Sequence, residues 1–226
     1  MNTGMTQYAH TETGLTMGGH KIKEIPPEDY DAMMMAARDM GFLGATPRSI
    51  YIADRDQMIM RIMYECGTRV SSTLLMNIDS VSRRDDTIVF EQQKKRVHTM
   101  HKVSITPELR DAIMEYMMRH ALTINKNCGL LFGIKRKAFD LRLRKYAKEA
   151  GIPPVSAHAF RHGCAMNLLR AGVPINVISF RLGHSNVNVT ASTYANMTSD
   201  IERAYLERAR TVAWNSKTEQ QNPGER

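Results

Sequence analysis

Residues 158–196 read HAFRHGCAMNLLRAGVPINVISFRLGHSNVNVTASTYAN. The pattern predicts a helix from Ser156 to Ala171 and a second from Pro174 to Leu182, because glycine ends helices and proline fits their first turn. A further helix is expected around Tyr194. Within this frame stand His158, Arg161 and His162 as one cluster and Gly183-His184 as another, with Tyr194 ten residues past His184. The i,i+4 pair His158 and His162 does not support zinc, since no acid lies between them and no third ligand is evident. His162, one residue past Arg161, reads as structural. Upstream, Cys66-Gly67-Thr68-Arg69-Val70-Ser71 places another arginine just past a helix-ending glycine. Two arginines, several histidines and a tyrosine suit a phosphodiester, with guanidinium groups holding the non-bridging oxygens and a phenol oxygen attacking phosphorus.

The rest of the chain reads as mostly helical with one strand cluster. Pro26 and Pro27 open a helix through about Met40, with Tyr30, Met33, Met34 and Ala37 at helical spacing, and Gly41, Gly44 and Pro47 break it. Asp54 is expected to cap the next helix, whose stripe is Met58, Ile59, Ile62 and Met63 and whose end is Gly67. A short helix from Ser71 leads to three expected strands, Asn77 to Val81, Thr87 to Phe90 and Val97 to Ile105. In the third, Val97, Thr99, His101, Val103 and Ile105 alternate as in a half-buried antiparallel strand. Thr106-Pro107-Glu108 starts a helix with Leu109, Ala112, Ile113, Tyr116 and Met117 inside. A last helix runs from about Ser199 to Ala213, with Ile201, Ala204, Tyr205 and Ala209 as its stripe. Residues 1–20 and 214–226 read as flexible segments around one domain, residues 21–213. The expected fold class is mainly α with a small antiparallel β-sheet. The 17 methionines include Met58, Met63, Met114 and Met117 at helix-core positions, so they read as core filling and not as a metal box.

The 226-residue chain carries 31 Lys plus Arg against 23 Asp plus Glu, a formal net charge of +8. No apolar run approaches the roughly 20 residues that cross a bilayer, and Met1 to Gly19 lacks the apolar segment of a secretory signal. Cys66, Cys128 and Cys164 fall in no paired spacing, which leaves no disulfide framework and places the expectation in the reducing cytoplasm. A basic surplus on a folded chain points first to nucleic acid, although eight charges also serve solubility. Much of the surplus lies in one helix-length segment, where Lys135, Arg136, Lys137, Arg142, Arg144, Lys145 and Lys148 face only Asp140 in sequence. Phe139, Leu141, Tyr146 and Ala150 form the expected inward stripe there, leaving a basic face for phosphates.

Segment 158–196 resembles the C-terminal signature of the tyrosine recombinase (phage integrase) family, H-x-x-R-H, then L-G-H, then a nucleophilic tyrosine. YECGTRVSSTLLMNIDSV, from Tyr64, resembles that family's first-arginine box, and the hairpin beginning IVFEQQKKRVHTMHKVSI sits where the family carries a lysine. The four boxes occur in the family's order over about Pro26 to Ala213. Two positions differ from the family pattern: Ser72 stands where an acid is common, and the His184 to Tyr194 interval is ten where nine is usual.

The resemblance implies a catalytic domain that cuts and rejoins DNA through a 3′-phosphotyrosyl link at Tyr194. Arg69 and Arg161 would hold the phosphate, His158 and His184 would hydrogen-bond it, and Lys94, with Lys95 next in choice, would protonate the leaving 5′-oxygen. The bond energy stays in the phosphotyrosine, so no cofactor, metal or ATP is expected. Double-stranded DNA would lie against Lys95, Arg96, Lys135, Arg136, Lys137, Arg142, Arg144 and Lys145. The resemblance also implies a tetramer on DNA that exchanges a C-terminal helix, no membrane, and an N-terminal DNA-binding domain missing from this chain. Two alternatives share the fold: a DNA-binding regulator with weakened cleavage, and a relaxing enzyme of the type IB topoisomerase class.

Overall fold

Thr46 starts the longest helix of the described residues. Its Oγ1 accepts from the Ser49 amide at 3.0 Å, and the Ser49 hydroxyl accepts from the Thr46 amide at 3.1 Å, a reciprocal cap followed by Pro47 at the first helical position. In this computed structural model the helix, α2, runs Pro47–Cys66. The described residues are 24–82, 84–94, 97–184 and 188, with backbone alone for Leu15–Met17, His20–Ile22, 92–94 and 97–98. Asp54, expected as the cap, lies inside α2 and pairs instead with His120 at 3.0 Å and Arg119 at 3.2 Å. The Thr-Pro start overrides it because two amides are satisfied there at once.

Helix α1 (Pro27–Leu43) runs through Gly41, expected as a breaker. A Cβ at Gly41 would sit 2.4 Å from that of Ala53, so the glycine lets α1 and α2 pass close together there. The predicted stripe of α2 is fully enclosed at Ile59, Ile62 and Met63, each removal of such a side chain from water contributing about 1.5–3 kcal/mol. Helix α3 (Val70–Leu74) follows.

The expected strand Asn77 to Val81 is instead a 3₁₀ turn, Ile78–Ser80. The Asn77 side chain accepts from the Asp79 amide at 3.0 Å and the Ser80 hydroxyl folds back on the Asn77 amide, a local cap that competes with pairing. Single bridges Asn77↔Leu130 and Val81↔Ile88 remain. Strands β3 (Thr87–Lys94) and β4 (Val97–Ser104) pair antiparallel from Thr87↔Ser104 to Lys94↔Val97. A second short hairpin, β1 (Leu15–Met17) with β2 (His20–Ile22), forms where a flexible lead-in was expected.

Helices α4 (Pro107–Arg119), capped by Thr106 as expected, α5 (Ala121–Lys126), α6 (Arg136–Glu149), α7 (Ala157–Arg170) and α8 (Ile175–Leu182) complete the described chain. On α6 the inward residues are Phe139, Leu143, Tyr146 and Ala147, while Leu141 is 50% exposed. Leu143 continues the spacing from Phe139, so Leu141 falls on the outer face. Arg142, expected among the outward cations, turns inward: its guanidinium pairs with the fully buried Asp56 and donates to the Tyr146 hydroxyl at 2.6 Å. The Tyr146 hydroxyl in turn donates to Asp56 at 2.7 Å, and Arg55 meets the same carboxylate at 2.8 Å. The buried carboxylate claims Arg142 because an unpaired charge at that depth would be costly. No helix among the described residues is long and apolar enough to cross a membrane.

Gly67 ends α2 in the left-handed region at φ 66°, and a Cβ there would lie 2.5 Å from Leu182 of α8. Gly67→Ala is expected to lower unfolding free energy by about 2–3 kcal/mol, combining the left-handed penalty with overpacking. Urea denaturation measures this, and a loss within about 0.5 kcal/mol, the scatter of ordinary surface changes, would show that the α2–α8 approach is loose.

Candidate active site

The turn from α2 into α3 brings Gly67, Thr68 and Arg69 to one wall of a small pocket, and Arg69 is the N-cap residue of α3. The Thr68 and Thr73 hydroxyls, 2.6 Å apart, pin this turn from behind. Half-burial draws the Arg69 guanidinium below its ordinary value, and among the described residues no carboxylate pairs with it. Ser72, one turn into α3, is buried on the same wall.

Helix α7 supplies Arg161, which is 4% exposed. Its Nη1 donates to the Gly67 carbonyl at 2.6 Å and its Nη2 to the Leu182 carbonyl at 2.7 Å, so one guanidinium joins the ends of α2 and α8. Helix α8 stops at Gly183, left-handed at φ 66°. His184 then donates its amide to the Ser179 carbonyl at 3.0 Å, and its Nε2 lies 2.7 Å from Arg161 Nη2. A guanidinium has no acceptor, so Nε2 is the lone-pair nitrogen and the imidazole is neutral with its proton on Nδ1.

At the start of α7, His158 and His162 stack edge to face with ring centres 4.5 Å apart. Burial, then the charges of Arg161, Arg69 and Arg136, hold His158 below the usual histidine value. Burial, with His158, Arg161 and His184 adding to it, pulls His162 down to about 4. Both rings are therefore neutral at pH 7. No group of three or more potential metal ligands occurs among the described residues.

The structure brings Arg69 and Arg161 to one pocket and holds His184 against Arg161, with His158 one turn before Arg161 on α7. Lys94 is the last residue of β3, opposite Val97. Lys95, Arg96 and Tyr194 lie outside the described residues, as do the stripe Ile201, Ala204, Tyr205, Ala209 and residues 214–226. On α6, Lys135, Arg136, Lys137, Arg144 and Lys145 are exposed, and Arg136 leans 3.7 Å from Asp140. The sequence reading missed Arg181 and His101, both lining the pocket. For Arg181 there was a signal, because it is the only charged residue of α8.

The profile of the phage integrase family matches residues 23–200. This chain belongs to the phage integrase family. Tyrosine recombinase XerD of Neisseria meningitidis serogroup B is 31% identical over 181 residues, spanning 74% of this chain and 58% of the relative. Tyrosine recombinase XerA of Pyrococcus horikoshii is 28% identical over 174 residues, 72% of this chain and 58% of that one. The chain thus spans a little over half the length of these relatives. Among solved structures, XerA recombinase superposes with a TM-score of 0.65 at 21% identity, covering 83% of this chain and 65% of that chain. The catalytic domain of bacteriophage HP1 integrase superposes with a TM-score of 0.57 at 21% identity over 90% of this chain and 99% of that one. These likenesses agree with the expected fold class, a mainly helical domain with a small antiparallel sheet.

The two lowered histidines set a pH response. The unfolded chain takes up protons below about pH 6.5 while folded His162 stays neutral to about pH 4, so stability falls as pH drops through that window. Ring-resolved NMR titration is expected to show His162 charging near pH 4, and His162→Gln to shallow the decline in urea midpoint between those limits. A ring that titrates at the ordinary histidine value would contradict this burial.

Proposed function

We propose that this chain is the catalytic part of a site-specific DNA recombinase acting by strand transesterification. The observation that carries the reading is the buried Arg161, fixed by two helix ends, which shares one small pocket with Arg69 and holds His184 by its Nη2. Two guanidinium groups and a neutral imidazole donating through Nδ1 form a preorganised set for the charge that builds on a five-coordinate phosphorus. Family membership supports the same reading.

In this reading the Tyr194 phenol oxygen attacks the scissile phosphorus as the phosphorus–O5′ bond breaks. His158, kept neutral by burial and neighbouring arginines, takes the phenol proton, which a charged ring could not. Lys94 supplies a proton to O5′, leaving a 3′-phosphotyrosine and a 5′-hydroxyl. Attack by another 5′-hydroxyl reverses the step and joins new strands. The exposed cations of α6, without Arg142, face the DNA backbone.

The direct test is a pool of nicked suicide duplexes of randomised sequence, incubated with the protein and run on a denaturing gel. A covalent adduct is expected with the unsubstituted chain and with Tyr205→Phe, and none with Tyr194→Phe. An adduct that survives Tyr194→Phe would remove this nucleophile, and DNA binding without any adduct would favour the regulator reading.

Binding is expected to weaken by about 0.9 log units per log unit of salt for each phosphate neutralised. Reversing Arg144 and Lys145 to Glu in one variant is expected to flatten that slope by about two phosphates' worth. An unchanged slope in gel-shift titrations would take α6 out of the interface. The same titrations read stoichiometry, where four chains on a paired site are expected and a complex that never exceeds one chain per site would exclude the tetramer.

A further inference from the structure

Resting on the recombinase reading above, we propose that Arg181 is a positioning residue that sets the reach of the β3–β4 hairpin, and with it Lys94, toward the Arg161–His184 pair. Arg181 bridges three elements. Its Nη1 donates to the Ser104 carbonyl at 2.9 Å, at the end of β4, and its Nη2 to the Glu65 carbonyl at 2.8 Å, in the last turn of α2. Its own carbonyl accepts from His101 Nε2 of β4 at 3.1 Å, and because a carbonyl only accepts, Nε2 carries the proton in either charge state of the ring. The His101 ring also meets Phe180 of α8 edge to face, 5.6 Å between centres. Helix α8 is thus fastened to β4 at two points three residues apart.

The position of this fastening along the hairpin gives it leverage. His101 pairs with Phe90, and the ladder continues four residues further to Lys94↔Val97. At about 3.4 Å per residue, Lys94 lies about 14 Å beyond the fastened pair. A two-stranded ribbon is a weak structure alone, so a small rotation at its base moves its tip by ångströms. On the other side of Arg181, the next residue Leu182 gives its carbonyl to Arg161, and the Gly183 turn carries His184. One side chain therefore holds the phosphate-side groups and the hairpin in a single frame. Its loss would act on proton delivery to the leaving oxygen more than on attack at phosphorus.

The test compares two suicide duplexes, one with the natural 5′-oxygen at the scissile bond and one with a bridging 5′-sulfur. The sulfur leaves as a thiolate when the phosphorus–sulfur bond breaks and needs no proton, so cleavage of that duplex bypasses Lys94. Arg181→Leu is expected to slow cleavage of the oxygen duplex about ten- to a hundredfold and of the sulfur duplex less than about threefold, the pattern also expected for Lys94→Ala. Amide hydrogen exchange in 87–94 and 97–104 should quicken in Arg181→Leu while α2 and α7 keep their protection. If Arg181→Leu fails to fold, Arg181→Lys, which reaches one carbonyl at a time, should show the same oxygen-selective loss at smaller size. Equal slowing of both duplexes, or unchanged cleavage of the oxygen duplex, overturns the proposal. An unsubstituted chain that cleaves neither duplex overturns the recombinase reading itself and this proposal with it.

Discussion

The guanidinium of Arg161 is the constraint around which the described domain is arranged. It is buried, and its two carbonyl partners belong to helix ends that only meet because Gly67 and Gly183 both turn left-handed. Helix C-termini carry partial negative charge, so these partners stabilise a cation without cancelling it. A carboxylate in their place would neutralise the site and weaken its hold on a phosphate. The glycine ends, the close passage of Leu182 and the return of His184 are parts of one arrangement.

A second buried centre plays the opposite part. Asp56, enclosed in α2, gathers Arg55, Arg142 and the Tyr146 hydroxyl, and so joins α2 to α6 by charge as well as by packing. Here two cations share one carboxylate, and Arg142 is withdrawn from the basic face. Burial raises the Tyr146 hydroxyl well above its ordinary value, which keeps its proton in place as a donor to Asp56. The basic helix therefore has one cation for the core and the others for solvent.

Much of this was legible in the sequence. The stripe Met58, Ile59, Ile62, Met63, the Gly67 stop, the Thr106-Pro107 start and the alternating β4 follow from periodicity and capping, which act over a few residues. The failures also have local causes. Asp54 was a plausible cap, but Thr46 and Ser49 satisfied each other first; Asn77 capped a turn where a strand was expected; Leu141 lost its place to Leu143 because two residues of helix rotate a side chain out of the core. For the site, the boxes around Arg69, Arg161 and His184 pointed to one locality; Arg69 and Arg161 line one pocket and His184 meets Arg161. The inward turn of Arg142 has no local signal because its partner is 86 positions away, and no periodicity reports such a contact. The anchorage of Arg181 leaves no sequence pattern because its partners are backbone carbonyls.

Arg161 and Arg181 draw much of their anchorage from main-chain oxygens of residues 65, 67, 104 and 182. Every amino acid supplies the same carbonyl. Residues 65 and 104 can therefore drift freely without disturbing the frame, and no compensating change at 181 would record the connection. Pairwise covariation among relatives would be blind to these struts, although they are among the most exacting contacts in the pocket.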